Sequence, residues 1–336
     1  MTEIYYPRQA YMKAANAAVK PSSDFEDVLE SMGAHGIGLK RSYLPTLKVV
    51  HLRNIFHNLL VRVQMPKGKT VVLQYPMQYH VGQLFDAAKR RGNKVIVMVH
   101  DINWLRGKDD YNFRRVLEGA DVVIAHTPAM RSWLEERFCH PKVLVLGMFD
   151  YMQDSIPDSE DCGGGVRTVV FAGNLAKSTF LGKIDLDPSR NKLVLYGVGC
   201  PEELKTKPFV DYKGSCMPEE IPSRISTANF GLVWDGTTTA TCDGEFGKYL
   251  QYNAPYKLSS YIAAGIPVVV WSKMGIADFV RTNNIGIAVD SLENLGAVID
   301  SLSRADYDAM RRNVKALQRK VSAGGFAKSA MKEALR

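Results

Sequence analysis

The sequence predicts an α/β protein built from two doubly wound, Rossmann-like domains that face a central cleft. Three observations predict it. The chain has 336 residues, more than one compact core usually serves. Short apolar runs alternate with helical patterns in both halves, as in parallel sheets covered on both faces. An acidic, glycine-ended stretch interrupts that alternation near the middle.

The elements follow in order. Ile4–Tyr6 reads as a first strand. Ser23 and Glu26 have capping-box spacing, and Phe25, Val28, Leu29 and Met32 continue at helical spacing until Gly33. Leu47–Val63 reads as a basic helix. Strands are expected at Val71–Gln74, Lys94–Val99, Val122–Ala125 and Val143–Leu146. Helices are expected between them at Val81–Arg90, Asn112–Glu118 and Ala129–Phe138. Crossovers between such parallel strands are right-handed. Asp150–Gly165 holds Pro157 and ends in three glycines, which reads as a linker. Beyond it, strands are expected at Thr168–Ala172, Lys192–Tyr196, Phe230–Trp234, Val268–Trp271 and Ile287–Val289. Helices are expected at Glu219–Ser226, Lys257–Ala264, Ile276–Thr282 and Leu292–Leu302. Two last helices run from Ala305 to Val321 and from Phe326 to the end. The expected division is 1–155, 166–304, and a helical tail 305–336 free to cross back to the first domain.

Composition removes several classes. Hydrophobic content of 46% with 23% charged residues describes a folded chain. No run of eighteen apolar residues occurs, so no spanning helix is expected. The N-terminus lacks a cleavable signal pattern, which argues for a cytoplasmic protein. Five scattered cysteines without a CxxC support neither a disulfide framework nor a zinc site. The first 155 residues carry +6 of the net +8. That excess suits an anionic neighbour, but no zinc-finger spacing or RNP-like motif points to nucleic acid.

Ligands of doubly wound sheets bind at the carboxyl ends of strands, so the residues just after the strands are the candidates. His100 and Asp101 follow one strand, with Arg106 close behind. A carboxylate there can accept a proton from an attacking sugar hydroxyl, or simply cap a helix. Gly173, Asn174 and Lys177 follow another. Glycine lets backbone N–H groups approach a diphosphate and the lysine adds charge, although a plain strand-to-helix turn reads the same way. Neither a P-loop nor a GxGxxG fingerprint is present. Asp235 follows a third strand. In the segment Tyr252 to Lys257, Pro255 is expected in the first helical turn, with Asn253 or Ala254 as cap. Lys257 would then oppose the helix dipole unless an anion lies nearby.

At these residues the chain resembles a known family. FGLVWDG, GKYLQYNAPYKLSSYIAAGIPVVVW and NNIGIAVDSL look like the donor domain of bacterial galactofuranosyltransferases and the related streptococcal adhesin glucosyltransferases. NAAVKPSSDFEDVLESMGAHGIGL, VVLQYP, VIVMVHDINWLRG and DVVIAHTPAM match the first domain, so the resemblance spans residues 4–302. It implies a GT-B fold, with a UDP-sugar donor on the second domain and a glycan or lipid-linked glycan acceptor on the first. It implies that Lys177 contacts the diphosphate, that Tyr212 lies near uracil or ribose, and that Tyr252 to Lys257 line the UDP site. It also implies that the loop from Asn16 to Lys20 closes over donor or acceptor.

Retaining enzymes of this fold commonly carry P-x-K-x-x-E-Y-x-A-x-G, whose glutamate grips the ribose. Here Ser260 takes the glutamate position, and Tyr252 takes the matching upstream acidic position. The expectation is therefore an inverting hexosyltransferase, galactofuranose favoured and glucose next, with Asp101 as base and no metal or cofactor. A UDP-sugar epimerase and a non-catalytic nucleotide-sugar-binding subunit are the alternatives. The first would turn over free UDP-sugar; the second would bind UDP without turnover. A homo-oligomer is expected. The basic helix Leu47–Val63 reads either as a membrane-surface or subunit-contact helix, or as an ordinary amphipathic helix packed on the sheet.

Overall fold

The computed structural model describes residues 3–12, 19–44, 46–76, 80–107, 111–138, 142–158 and 165–336. The chain forms two compact units. The described residues up to Gly147 join Gly324–Arg336 in one, and Met148–Ala323 make the other.

The strands of the first unit are β1 (Ile4–Pro7), β2 (Ala10–Met12), β3 (His35–Ile37), β4 (Ser42–Leu44), β5 (Thr70–Tyr75), β6 (Lys94–Val99), β7 (Val122–Ala125) and β8 (Val143–Val145). Six of them make a parallel sheet in the order β3-β1-β5-β6-β7-β8, and β2 and β4 pair separately. Every residue of β5 is buried, as continuous apolar runs covered on both faces require. The helices are α1 (Lys20–Ser31), α2 (Leu47–Gln64), α3 (Val81–Arg90), α4 (Tyr111–Gly119) and α5 (Pro128–Arg137). The terminal helix Gly325–Ala334 belongs here too. Lys94 Nζ donates to the Ala334 carbonyl at 2.7 Å, and Lys142 Nζ donates to that of Glu333 at 3.2 Å.

The expected capping box at Ser23 and Glu26 does not form. Helix α1 begins at Lys20, because Pro21 suits the first turn and Val19 stands at the cap. Ser23 Oγ instead donates to the Lys20 carbonyl, and Glu26 is fully buried. Glu26 Oε1 accepts from the Gln9 N–H at 3.0 Å and the Tyr11 hydroxyl at 2.9 Å, while Arg41 pairs with Oε2 at 3.1 Å. The strands β2, β3 and β4 went unread in the sequence because three residues are too few for alternation to show.

The second unit holds β9 (Arg167–Ala172), β10 (Asn191–Tyr196), β11 (Val210–Tyr212), β12 (Phe230–Val233), β13 (Val268–Trp271) and β14 (Gly286–Val289). They form one parallel sheet in the order β11-β10-β9-β12-β13-β14. The chain steps outward from β9 to β10 and β11, then returns to start the other side at β12. The point of reversal is therefore the β9–β12 pair, and a crevice opens at such a point. Its helices are α6 (Glu202–Lys205), α7 (Ile221–Ile225), α8 (Gly244–Tyr249), α9 (Tyr256–Ala263), α10 (Ala277–Thr282), α11 (Leu295–Asp300) and α12 (Arg304–Ser322).

Helix α9 packs directly on β12. Gly231 permits this: a Cβ there would lie 2.3 Å from Tyr261 Cγ. Gly265, at φ +77°, ends the helix in the left-handed region. At its start the expectation shifts by one position. Pro255 is itself the cap, with ψ 144°, and its carbonyl accepts from the Leu258 N–H at 2.9 Å. The helix expected over Leu292–Leu302 is shorter, running Leu295–Asp300, and the Leu292 N–H ahead of it donates to the Thr239 carbonyl at 2.7 Å.

Candidate active site

A cavity of about 520 Å³ lies in the second unit at the ends of β9 and β10 and the start of α9. It is built from the sequence upward in three steps. First, the strand-end glycines bring two backbones together. Gly197 has φ +147°, and a Cβ there would stand 1.7 Å from the Gly173 carbonyl oxygen, so only glycine fits. Second, Tyr261 anchors α9: the Ala172 N–H donates to its hydroxyl at 2.9 Å. Third, Lys257 stands one helical turn before Tyr261 and therefore on the same face. Its Nζ lies 4.3 Å from the centre of the Phe171 ring, and 3.9 Å from where a Cβ on Gly173 would be.

Lys257 Nζ also donates to the Trp234 carbonyl at 3.4 Å, which ties the ammonium to the end of β12. Burial pushes its pKa down, and Asp235 is the main charge opposing that shift. No carboxylate forms an ion pair with Lys257 among the described residues. A half-buried ammonium in this setting is short of an anionic partner. The N–H groups of the first turn of α9 lie alongside and add positive potential.

The opposite wall is aromatic. Tyr256 stacks on Tyr151 with ring centres 4.9 Å apart and planes 19° from parallel. Ser259 Oγ donates to the Phe149 carbonyl at 2.7 Å, fixing the segment that carries Tyr151 against α9. Pro255, Ser260, Asn174 and Cys216 also line the space. Sequence reasoning missed Tyr151, Gly197 and Cys216. The first lies in the stretch read as linker. Gly197 carried a readable signal, a glycine directly after a strand, the same pattern that singled out Gly173.

Of the other expected donor residues, Lys177, Tyr212, Asp235, Tyr252 and Asn253 fall outside the lining and Ser260 lies in it. Lys177 is exposed and does not line the cavity; its N–H donates to Asn174 Oδ1 at 3.2 Å, closing the turn. Tyr212 stands on the edge strand β11, where its hydroxyl donates to the Gly197 carbonyl at 3.0 Å and braces that turn from outside the lining. Asp235 Oδ1 accepts from the Gly236 N–H at 2.9 Å. Tyr252 is half-buried beside α8, and its N–H donates to the Tyr249 carbonyl. Asn253 Oδ1 is buried with no hydrogen-bond partner among the described residues. Ser260 Oγ donates back to the Lys257 carbonyl at 2.8 Å, so it buttresses the helix start.

In the first unit, His100 and Asp101 follow β6. His100 Nε2 lies 2.7 Å from Gln74 Oε1, and Gln74 Nε2 donates to the Ser22 carbonyl of α1 at 3.3 Å. Burial, with His126 adding to it, pushes His100 down to about 3, so the ring is neutral. Asp101 Oδ2 accepts from Arg106 Nη1 at 2.6 Å, which orients the carboxylate. Asn16 lies outside the described residues.

Two parallel six-stranded sheets of this topology form the GT-B fold, and the relatives that follow make the chain a glycosyltransferase of that fold. The chain belongs to the glucosyltransferase 3-like family: residues 3–148 match its N-terminal domain and residues 169–334 its C-terminal domain. It is 32% identical to the beta-1,6-galactofuranosyltransferase WbbI of Escherichia coli K12 over 246 residues, 72% of this chain and 71% of that one. It is 27% identical to glucosyltransferase 3 of Streptococcus gordonii over 285 residues, 80% of this chain and 79% of that one. An alpha-glucosyltransferase solved with UDP and a 13-mer DNA superposes with a TM-score of 0.60 at 15% identity, covering 100% of this chain and 99% of that one.

Proposed function

We propose that this glycosyltransferase moves a hexose from a UDP-sugar to a glycan acceptor with inversion, galactofuranose being the first choice and glucose the second. One observation carries the nucleotide-sugar reading. Lys257 holds a half-buried ammonium beside Gly173, at the reversal point of the sheet, with no carboxylate paired to it. A diphosphate supplies the missing charge. The apolar wall of Tyr151 and Tyr256 suits the flat base of a nucleoside. The galactofuranose preference rests on the similarity to WbbI.

The chemistry follows from the groups present. The acceptor hydroxyl attacks the anomeric carbon as its proton passes to Asp101. The bond from that carbon to the phosphate oxygen breaks, and UDP leaves with the electron pair. Lys257 and the N–H groups opening α9 stabilise the charge that develops on the leaving diphosphate. That role needs no bound metal, so turnover should persist in chelator. Ser260 and Tyr252, standing where retaining enzymes carry acids, agree with a direct displacement.

Thermal-shift titration against UDP, GDP, TDP and CMP tests the nucleotide. Turnover of UDP-galactofuranose and UDP-glucose with a glycan panel then tests the transfer. A response to UDP alone, followed by product of inverted configuration, is expected. Equal response to all four nucleotides, or none, would remove the reading.

A further inference from the structure

Helix α2 is inside out. Val50, Asn54, His57, Asn58 and Val61 are buried against the protein, so three of the five inward residues are polar. His57 Nδ1 accepts from the Leu39 N–H at 3.0 Å, and burial pushes its pKa down to about 4. The opposite face carries Val49, Leu52, Ile55, Phe56, Leu59 and Val63, between 46% and 73% exposed. At 3.6 residues per turn these six fall within about 120° of arc. Single exposed apolar side chains are ordinary, but a continuous stripe of six marks an interaction surface.

Charge selects the occupant. From Ser31 to Phe85 the chain has seven Lys and Arg and no Asp or Glu. Arg41 and Lys69 are engaged by carboxylates, and Arg53 donates to the Lys40 carbonyl. Lys40, Lys48, Arg62 and Lys67 remain exposed. Lys48 and Arg62 lie along one flank of the apolar stripe near its two ends, about four turns apart on the helix. Two copies of α2 face to face would set Lys48 of one beside Arg62 of the other, with no acid on the helix to compensate. An anionic lipid leaflet has the complementary sign and accepts the apolar stripe at its headgroup boundary.

We propose that the exposed face of α2 is a peripheral docking surface for a bilayer rich in anionic lipid, with Leu52, Ile55, Phe56 and Leu59 entering the headgroup–acyl boundary and Lys48 and Arg62 held at the headgroups. No described helix is long and apolar enough to cross a membrane, so the contact is a surface one.

Flotation of the full chain with vesicles tests this, using phosphatidylcholine alone and mixed with phosphatidylglycerol, at low and high salt. The chain should float with the mixed vesicles at low salt and stay behind with phosphatidylcholine alone. The Leu52→Ser/Phe56→Ser variant should lose at least about tenfold in partitioning. Lys48→Gln/Arg62→Gln should lose about tenfold on the anionic vesicles and most of the salt dependence. Both sites are exposed, and far-UV circular dichroism with melting curves verifies that each variant is folded. Absence from anionic vesicles overturns the proposal. So does unchanged partitioning of the folded serine variant, or a dimer in light scattering that this variant dissolves while wild type ignores vesicles.

Discussion

Lys257 lays its ammonium over the face of Phe171, 4.3 Å from the ring centre, and Phe171 is itself fully buried. The ring offers a partial cation–π partner that cannot replace water or an anion. Helix α9 thus holds a charge in place at some cost to the protein, at the position where the proposed diphosphate would supply the opposite charge.

Lys257→Met should therefore weaken UDP binding about 30- to 100-fold by calorimetry, the scale of a lost charge-assisted contact. The unliganded variant should melt no earlier than wild type, since a desolvated charge has gone. Lys177→Met, on an exposed turn, should cost about threefold or less, as solvent-screened contacts do. The reverse ranking would return the diphosphate to Lys177.

Gly197→Ala should lower the urea midpoint by the equivalent of about 3 kcal/mol, because both the left-handed φ and the Gly173 carbonyl exclude a methyl group. UDP affinity should fall with it, since the two glycines shape one wall. A variant as stable as wild type would show that the two turns are free to separate.

Asp101→Asn keeps the shape of the side chain and its contact with Arg106 while removing proton acceptance. Turnover should fall by about 100-fold or more with UDP binding unchanged. Near wild-type turnover would remove Asp101 from the chemistry.

Stability should respond to acid in a defined window. His126 is 1% exposed, and burial pushes its pKa down to about 4. Unfolded imidazole titrates near 6.5, so as pH falls below that value the unfolded chain takes a proton that the folded one refuses. Stability is lost from about pH 6.5 down towards pH 4, by about 3 kcal/mol for this residue. Glu26 acts in the opposite sense. Burial outweighs Arg41 and lifts it to about 7, so its contribution grows as pH falls through 7 towards 4.5 and is lost as pH rises. Urea midpoints between about pH 7 and pH 4 should fall more steeply in Glu26→Gln than in wild type. A parallel profile would mean that Glu26 is already ionised.

Much of the architecture is legible in the sequence. The long buried strands β5, β6, β9 and β13 announce themselves as apolar runs closed by turn residues, and the helices between them by spacing. The cavity was half readable. Gly173, Pro255, Lys257 and Ser260 line it, and their residue types at strand and helix ends carried the signal. Tyr151 was not readable, because a tyrosine in a proline-containing acidic stretch has no periodicity to mark it as buried. Ser23 and Glu26 misled, because capping-box spacing is a local pattern and the Gln9 N–H, seventeen residues away, claimed the carboxylate.

Local chemistry along the chain thus set the elements, their order and the residue types at their ends, since backbone propensity and apolar periodicity act over a few residues. Two lysines near strand ends look alike in one dimension. Their difference arises when Tyr261 docks on the Ala172 N–H and turns Lys257 towards Gly173, while the Asn174 turn leaves Lys177 in solvent. The outward aim of the apolar stripe on α2 has the same origin. Which face of a helix is buried depends on what the rest of the fold presents to it, and here the fold presents partners for Asn54, His57 and Asn58.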